Sequence, residues 1–383
     1  MLKVERDELD KQRKTLKGQL RQLKVENCDD NAIADCEKLI ELTSIRVSNL
    51  AKEESKAREE LRLLDIGKTL FAYEYYRFKA EEHSKYAGLS IRPNYEVLHQ
   101  RYLILSLLGK GGYSEVYKAY DLEAHTEVAC KILQVDQKWD EARKKNYVRH
   151  AMREHEINEA LNHPRIVKQY DTIEIDNTSF GIILELCEGP SLDVYLKQHG
   201  TLPEKEAKVI VWQILTGLKY LYDQPKKIIH YDLKPQNILF QKGEIKISDF
   251  GLAKIIEENK SNIELTSQGV GTYWYLPPEC FDTGTNTTIS PTVDIWSVGV
   301  IFYEMLYGAK PFGQNMTQER ILKEDAIRNS GPVLFPERKD ISPECKAFIR
   351  KCLERSPCNR MNVVQALETE YIKKGPKKVS GAS

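Results

Sequence analysis

Two polar motifs near the middle of the chain limit its possible folds more than any other feature of the sequence. The first reads HYDLKPQN at residues 230–237, and the second, after two short apolar strands, reads SDFG at residues 248–251. Asn237 and Asp249 offer the oxygen atoms that Mg²⁺ prefers as ligands. Unrelated folds rarely produce these residues at this spacing, so the motifs predict a metal-assisted reaction at a phosphate group.

The first motif also supplies a proton acceptor and a cation. Asp232 can accept the proton of a substrate hydroxyl, or orient that hydroxyl for attack. Lys234 would lie against the γ-phosphate, where its charge offsets the charge that develops in the transition state. Phosphoryl transfer requires little more of a protein than this and a means of holding the triphosphate.

A glycine-rich segment, GKGGYSEV at residues 109–116, is a candidate for holding the triphosphate. Gly109 and Gly111 would let backbone N–H groups approach phosphate oxygens without a Cβ in the way. Ser114 stands where the third glycine of a G-x-G-x-x-G motif would lie. An ordinary glycine-rich hairpin turn is the alternative interpretation of this segment.

A lysine in the apolar strand sequence VACK, Lys131, is a second candidate. Lysine is rarely buried without a partner, and Glu154 on the following predicted helix is the expected one. Their ion pair would hold Lys131 against the α- and β-phosphates. A surface lysine at a strand edge is the alternative.

The order of predicted elements indicates two lobes in an α+β arrangement. Apolar-rich strands come first, at residues 102–105, 116–119, 128–133, 166–170 and 181–184, with one helix at 144–161 among them. Helices dominate afterwards, at 203–222, 292–307 and 343–353. We predict a small β-rich lobe at residues 101–187 and a large helical lobe at residues 191–372.

Residues 101–372 resemble the bilobal protein kinase fold, in which these motifs occur in the same order. The resemblance implies ATP and Mg²⁺ as cofactors. It adds nucleotide-binding positions at Val116, Ala129 and Leu184, and it implies that backbone groups of Glu185 and Cys187 bind the adenine edge.

The resemblance also implies specificity for serine and threonine. A lysine lies two residues after the catalytic aspartate, where tyrosine kinases carry a different loop. The sequence GTYWYLPPE at residues 271–279 resembles a Ser/Thr-type activation segment end, in which Thr272 bonds to that aspartate and lysine. Glu279 is expected to pair with Arg360.

Three details are similar to the Tousled-like kinases in particular. Tyr231 replaces the arginine of the usual H-R-D sequence, the activation segment reads ELTSQGVGTYWYLPPEC at residues 264–280, and the small lobe has an extended segment at residues 138–154. This resemblance implies a nuclear enzyme, a homodimer or larger assembly through coiled coils that precede the catalytic domain. It implies histone chaperones of the anti-silencing type as substrates, and so a role in chromatin assembly.

The replacement at Tyr231 has a physical consequence. An arginine at this position can pair with a phosphorylated residue of the activation segment and order it. Tyrosine carries no positive charge, so we expect activity to depend more on contacts within a dimer than on one phosphate. Thr266 and Ser267 remain candidates for autophosphorylation.

Residues 1–86 are predicted to be helical, with no proline before Pro93 and many good helix formers. An early leucine repeat and a later heptad register do not match, so we expect a break near residues 27–31. A self-associating coiled coil is the favoured interpretation, and one amphipathic helix packed on the catalytic domain is the alternative. The later seam runs along Ile33, Cys36, Ile40, Thr43, Val47, Leu50, Glu54, Ala57, Leu61 and Leu64, with Glu54 as the charged exception that would weaken it.

Three further segments complete the organisation of the chain. Aromatic residues are dense at 70–78, where packing on the catalytic domain or on a partner chain is expected. Residues 87–100 have the composition of a linker, and residues 373–383 form a basic tail that is either a solvated terminus or a nuclear-import signal. The chain opens inside the helical pattern, so an upstream continuation remains possible.

Charge, hydropathy and cysteine usage exclude several classes of protein. Lysine plus arginine and aspartate plus glutamate both number 57, so the net charge predicts neither direct nucleic-acid binding nor an anionic membrane partner. No apolar stretch is long enough to span a membrane, and the charged N-terminus does not resemble a signal peptide. Eight scattered cysteines without C-x-x-C pairs indicate free thiols in the cytosol or nucleus.

Two competing functions remain. A catalytically inactive kinase fold that serves as a scaffold would normally have lost Lys131, Asp232 or Asp249, and all three are present. A cytoplasmic serine/threonine kinase of another family, with a coiled-coil arm, would differ in substrate choice and location.

Overall fold

The computed structural model describes residues 2–25, 30–82, 84, 97–111, 114–135, 138–176, 178–257, 260–264, 271–282, 288–338 and 340–373. The chain divides into two compact units, Met1–Glu74 and Tyr75–Ser383. Thr266, Ser267, most of the predicted linker and all but the first residue of the basic tail lie outside the described residues. None of the described helices combines the length and the apolar character needed to cross a membrane.

The first unit is an antiparallel pair of helices, α1 (Leu2–Val25) and the greater part of α2 (Asp30–Glu82). The early residues of α2 contact the late residues of α1, and α1 begins beside the middle of α2. Helix α1 ends two residues before the range of the expected break, residues 27–31, and α2 begins within that range. The contacts between them include Cys36 Sγ donating to the Leu16 carbonyl oxygen at 3.5 Å, an ion pair of Lys24 with Glu37 at 2.7 Å, and an ion pair of Arg6 with Glu54.

Helix α1 covers the first part of the heptad seam of α2 within the same chain. Cys36 and Thr43 are buried there, whereas Leu61 and Leu64, further along α2, are 67% and 71% exposed. The sequence interpretation named a second chain or the catalytic domain as the cover. For the first part of the seam the cover is α1 of the same chain, and self-association through a coiled coil stays a prediction.

The charged seam residue Glu54 is buried by the same packing. Arg6 on α1 and Arg58 one turn later on α2 both form ion pairs with its carboxylate. A buried carboxylate is costly unless it is paired, and these two arginines satisfy that requirement. The glutamate therefore fits the hairpin, although it would weaken an apolar seam.

Among the described residues, the small lobe of the second unit has a six-stranded sheet and one helix besides the end of α2. The elements are β1 (Val97–Leu98), β2 (Tyr102–Lys110), β3 (Ser114–Asp121), β4 (Thr126–Gln134), α3 (Glu141–Ala160), β5 (Gln169–Asp176) and β6 (Ser179–Glu185). The sheet is antiparallel, in the order β1-β2-β3-β4-β6-β5. Strand β4 is central and buried from Val128 to Leu133, which explains its continuous apolar sequence around Lys131.

The end of α2 and the predicted linker both contribute to this lobe. Ala80 packs against the core of the sheet, and Ser84 accepts a hydrogen bond from the Tyr117 hydroxyl at 2.8 Å. Strand β1 lies inside the range predicted as a linker and pairs with β2. The rings of Tyr75, Tyr76 and Phe78 are exposed within this unit, so a partner chain remains the interpretation for them.

In its described parts the large lobe is mainly helical and has three short two-stranded sheets, β7–β10, β8–β9 and β11–β12. Its core surrounds α6, whose residues are almost all buried. Gly299 on α6 allows α8 to approach closely, because a Cβ there would lie 2.7 Å from Cys352 Cβ. The elements are α4 (Leu192–His199), α5 (Glu204–Tyr222), β7 (Ile228–Ile229), β8 (Ile238–Gln241), β9 (Glu244–Ile247), β10 (Lys254–Ile255), β11 (Ile263–Glu264), β12 (Thr288–Ile289), α6 (Thr292–Tyr307), α7 (Gln318–Lys323), α8 (Pro343–Cys352), α9 (Val363–Glu368) and α10 (Glu370–Lys373).

The strand predicted at residues 166–170 is wrong in position. Strand β5 instead runs from Gln169 to Asp176, and its charged residues gave it no apolar signal in the sequence. Ile166 and Val167 are buried because they pair with Ile247 at the end of β9, where the Val167 N–H donates to the Ile247 carbonyl oxygen at 2.9 Å. The apolar character of Ile166 and Val167 therefore reflects their contact with β9. Strand β5 itself is an edge strand with an exposed face, which explains its charged residues.

Candidate active site

The loop that carries the first motif is fixed by Asp294 at the start of α6. The two carboxylate oxygens of this buried residue accept the backbone N–H groups of His230 and Tyr231 at 2.8 and 2.9 Å. Tyr231 has φ = 69°, a left-handed conformation that costs a non-glycine residue on the order of 1–3 kcal/mol. The two hydrogen bonds hold the loop in that conformation and so determine the position of the next residue, Asp232.

Asp232, Lys234 and Thr272 form a closed triangle of hydrogen bonds. Lys234 Nζ lies 2.6 Å from Asp232 Oδ2 and 3.1 Å from Thr272 Oγ1. The Thr272 hydroxyl donates to Asp232 Oδ1 at 3.0 Å. The triangle joins the catalytic loop to the end of the activation segment and orients the carboxylate that would receive a substrate proton.

Replacing Thr272 with alanine is expected to lower kcat about 30-fold, because two hydrogen bonds of roughly 1 kcal/mol each would no longer orient Asp232 and Lys234. Thr272→Ser keeps the hydroxyl and should retain most of the activity. Steady-state kinetics on a serine-containing peptide would measure both variants. Equal losses in the alanine and serine variants would contradict a role for the hydroxyl.

Lys131 on β4 lies between two carboxylates. Its Nζ atom is 2.5 Å from Glu154 Oε1 on α3 and 3.0 Å from Asp249 Oδ1. Burial alone would lower the pKa of Lys131, but the charges of the two carboxylates outweigh burial and raise the pKa above the usual lysine value. The charge of Lys131 in turn lowers the pKa of Asp249 to about 2. Both groups are therefore charged near neutral pH, as binding of a phosphate and a metal requires.

Asn237 and Asp249 are suited to hold a divalent cation. The amide nitrogen of Asn237 donates to the Asp232 carbonyl oxygen at 2.9 Å, which leaves its Oδ1 atom for a ligand. Asp249 engages Lys131 through Oδ1 and has a second carboxylate oxygen. Two protein oxygens suit Mg²⁺, which usually keeps several waters and binds substrate phosphates as well. In the described parts of the chain, no cluster of three or more His, Cys, Asp or Glu side chains could form a separate metal site.

The predicted nucleotide-binding residues on the strands lie near Lys131. Val116 on β3 is the direct partner of Lys131 in the sheet, and Ala129 on β4 is the partner of Leu184 on β6. Ala129 is buried, and Val116 and Leu184 are half-buried. They form an apolar surface suited to an aromatic base next to the lysine that would bind the phosphates.

Glu185 and Cys187 connect the two lobes. The Glu185 N–H already donates to the Lys168 carbonyl oxygen at 2.8 Å, so this residue could contact an adenine only through its carbonyl group. The Glu185 side chain pairs with Lys246 at 3.0 Å and leaves the backbone to meet a ligand. Burial raises the pKa of the Cys187 thiol to about 12, so this cysteine is a neutral group at the hinge.

The glycine-rich segment closes the β2–β3 hairpin. The Gly111 N–H donates to the Ser114 carbonyl oxygen at 2.7 Å, and a Cβ at Gly111 would lie 3.4 Å from Ser114 Oγ. A Cβ at Gly109 would meet none of the described atoms of the protein within 4 Å. The fold itself therefore does not require glycine at position 109, whereas close approach of a phosphate would.

Lys254 is a residue near the site that the sequence reasoning missed. It is buried on β10, and its Nζ atom lies 5.4 Å from the ring centroid of Tyr231. Burial, followed by the charges of Arg153 and Arg149, lowers the pKa of Lys254 to about 8. The region around Tyr231 thus contains a cation although the usual arginine is absent. In the sequence, Lys254 is distinguished only by its position three residues after the SDFG motif.

Comparison with known proteins agrees with this geometry. Residues 102–372 match the protein kinase domain family. The chain is 48% identical over 341 residues to serine/threonine-protein kinase tousled-like 2 of Xenopus tropicalis. The aligned region covers 87% of this chain and 48% of that protein. The chain is also 44% identical over 373 residues to serine/threonine-protein kinase TOUSLED of Arabidopsis thaliana, covering 96% of this chain and 53% of that protein. The chain therefore spans about half the length of the curated relatives it matches.

Proposed function

Because the chain belongs to the protein kinase family, with a catalytic region similar to that of the Tousled-like serine/threonine kinases, we propose that it transfers the γ-phosphate of ATP to serine or threonine in proteins. The observation that carries the proposal is the double ion pair of Lys131 with Glu154 and Asp249, at 2.5 and 3.0 Å. It brings a residue from each lobe to the same lysine, and Asp249 keeps its second carboxylate oxygen for a metal ion. A scaffold protein would have no need of this arrangement.

Each step of the transfer has a group to perform it. Backbone N–H groups of the glycine-rich segment and Lys131 would bind the phosphates. Asn237 and Asp249 would hold Mg²⁺, which would supply positive charge against the phosphates. Asp232 accepts the proton of the attacking hydroxyl, and Lys234 offsets negative charge on the phosphoryl group as it is transferred.

The finer assignment follows from the resemblance to the Tousled-like kinases. We propose that the enzyme acts in the nucleus on histone chaperones of the anti-silencing type, in chromatin assembly, and that it forms homodimers. The exposed part of the heptad seam at Leu61 and Leu64 supports self-association, since α1 does not cover these residues. Among partners, neither a membrane nor nucleic acid is proposed.

The test is phosphate transfer from Mg²⁺-ATP, read by mass spectrometry, to the chain itself, to a histone chaperone and to a generic basic protein. Asp249→Asn is expected to abolish transfer, because the amide replaces the ionised metal ligand. Preference for the chaperone would support the substrate assignment. No transfer by the natural chain, when it is folded and binds ATP, would contradict the enzymatic proposal and favour the scaffold.

A further inference from the structure

Two aromatic side chains meet where the chain enters α3. The rings of Trp139, just before the helix, and Tyr147, two turns into it, are in edge-to-face contact with centroids 5.2 Å apart. We call these two residues the aromatic pair. The Arg143 guanidinium lies over the Trp139 ring at 4.6 Å, and the Arg143 N–H donates to the Asp140 carboxylate, the N-cap of α3, at 2.7 Å. Ring, cation–π and capping contacts therefore fix the angle at which the chain enters the helix.

Tyr147 attaches this end of α3 to the sheet of the small lobe. The residue is 9% exposed and packs in one apolar cluster with Leu133 on β4 and Ile182 on β6. Burial raises the pKa of the Tyr147 hydroxyl to about 12, and a hydrogen bond with the backbone of Gln134 at the end of β4 acts in the opposite direction. Both the ring and the hydroxyl thus hold the N-terminal half of α3 on the strand.

The attachment at Tyr147 is in register with the ion pair of Lys131 and Glu154. Tyr147 and Glu154 are seven residues apart on α3, about two turns or 10 Å, so they lie on the same face of the helix. Gln134 and Lys131 are three residues apart on β4, which is also about 10 Å. The charges of Lys131 and Glu154 both act on the Tyr147 hydroxyl, as expected of neighbours. Helix and strand are therefore joined at two points with matching separation.

The C-terminal end of α3 is held by a different part of the molecule. Ile157 and Leu161 are buried in the apolar core that extends through the large lobe. Glu154 lies between these residues and the aromatic pair. Without the pair, the helix would be free to pivot about its C-terminal end and carry Glu154 away from Lys131. A displacement of about 1 Å is enough to cost a large factor in rate when it misplaces a group that acts on the substrate.

We propose that Trp139 and Tyr147 are positioning residues for phosphoryl transfer, which hold α3 on β4 so that Glu154 keeps Lys131 in place for the phosphates. The inference rests on the proposed kinase function and adds to it a determinant outside the predicted catalytic and nucleotide-binding residues. Leu184, one of the predicted nucleotide-binding residues, packs against the same apolar cluster as the pair. Loss of the pair therefore affects both the phosphate end and the adenine end of the nucleotide site.

The test compares three variants of the full chain by initial rates at varied Mg²⁺-ATP with a serine peptide. Tyr147→Ala should lower kcat/KM for ATP at least about tenfold, because Glu154 is no longer held at Lys131. Tyr147→Phe keeps the ring and loses only the hydroxyl, so it should stay within about threefold of the natural chain. Trp139→Ala loses one edge-to-face contact at a partly buried position and should lower kcat/KM about threefold to tenfold.

A double-mutant cycle separates positioning from a general loss of stability. In a Glu154→Ala background, Tyr147→Ala should change kcat/KM by less than about twofold, because the ion pair that it positions is already absent. The matched control is Tyr307→Ala, which removes a partly buried ring that stacks on Tyr303 in the large lobe with centroids 4.5 Å apart. It should leave kcat/KM within about twofold, because it lies away from α3 and adds its effect independently. The thermal unfolding midpoint of each variant shows that it is folded in the assay.

Hydrogen exchange of the backbone amides, read by mass spectrometry, supplies a measurement that does not require catalysis. Residues 141–153 should exchange at least several-fold faster in Tyr147→Ala and at the natural rate in Tyr307→Ala, since only the first variant releases α3 from β4. A natural chain that transfers no phosphate contradicts the proposed function, and the exchange rates then still decide whether the aromatic pair holds α3. The inference is overturned by unchanged exchange in Tyr147→Ala, by an equal loss of kcat/KM in Tyr307→Ala, or by a full additional loss in the Glu154→Ala background.

Discussion

Asp232→Asn is expected to lower kcat by a factor of about 10²–10⁴, the usual contribution of a positioned general base. Asparagine has nearly the same size and can still bond to Thr272, so the fold should persist. It cannot accept the substrate proton, and it removes the carboxylate that lies 2.6 Å from Lys234 Nζ. The loss should therefore fall on kcat, with the KM for ATP changed only slightly.

The matched control is Asp340→Asn, which removes a carboxylate from an exposed ion pair with Arg338. It should leave kcat within about twofold, because surface ion pairs of this kind contribute little. Initial rates with a serine peptide and a nucleotide-binding titration would separate catalysis from binding. Asp232→Asn activity above about a tenth of the natural rate would show that this carboxylate is not the proton acceptor.

Arg360→Met is expected to destabilise the large lobe by about 3–5 kcal/mol, the typical cost of leaving one member of a buried ion pair without its partner. The Arg360 side chain is fully buried and bonds both carboxylate oxygens of Glu279, at 2.7 and 3.0 Å. It also donates to the Glu354 carbonyl oxygen at 2.8 Å and lies 5.1 Å from the ring centroid of Trp296. Its removal would leave the Glu279 carboxylate buried without compensation.

Urea unfolding, followed by tryptophan fluorescence, would measure this loss. The double variant Glu279→Met/Arg360→Met should cost less than the sum of the single variants, because neither charge then remains unpaired. Lys219→Met, which breaks an exposed ion pair with Asp223, should cost less than about 1 kcal/mol. A loss below about 1 kcal/mol for Arg360→Met would contradict a structural role for the buried pair.

Loss of Arg360 should also reach the active site. Glu279 follows Thr272 by seven residues. Two hydrogen bonds fix the segment between them: the Tyr275 hydroxyl donates to the Glu304 carboxylate at 2.6 Å, and the Ser297 hydroxyl donates to the Tyr275 carbonyl oxygen at 2.8 Å. The ion pair and these hydrogen bonds hold the end of the activation segment against α6. Thr272 can therefore reach Asp232 only when this anchoring is intact.

The sequence allowed candidate active-site residues to be predicted because the chemistry of phosphoryl transfer requires particular side chains in short local motifs. Asp232, Lys234 and Asn237 come from one loop, and Asp249 follows within a single hairpin, so local spacing alone brings them near one another. Lys131 and Glu154 required one further rule, that a lysine in an apolar strand must have a carboxylate partner. The α+β fold class followed from the order of strands and helices, and the match to the protein kinase domain confirms it.

The position of β5 could not be predicted in the same way. An edge strand with one exposed face carries charged residues, and the apolar pair Ile166–Val167 beside it was therefore mistaken for the strand. Their burial comes from contact with β9, which is distant in sequence. Sequence patterns report that a residue is buried, but they do not report which neighbour buries it.

The sequence by itself predicted the candidate catalytic groups and the helical nature of residues 2–25 and 30–82, because short-range patterns encode both. Only the tertiary structure decided which surfaces these elements cover. Helix α1, rather than a second chain, covers the first part of the α2 seam, and Glu54 is tolerated there because Arg6 reaches it from α1. Likewise, Lys254 lies over the ring of Tyr231 although no local motif links them. In each case the contact joins residues that are far apart in the chain. Burial makes an unpaired charge costly, and the packing of the elements determines which residue becomes its partner.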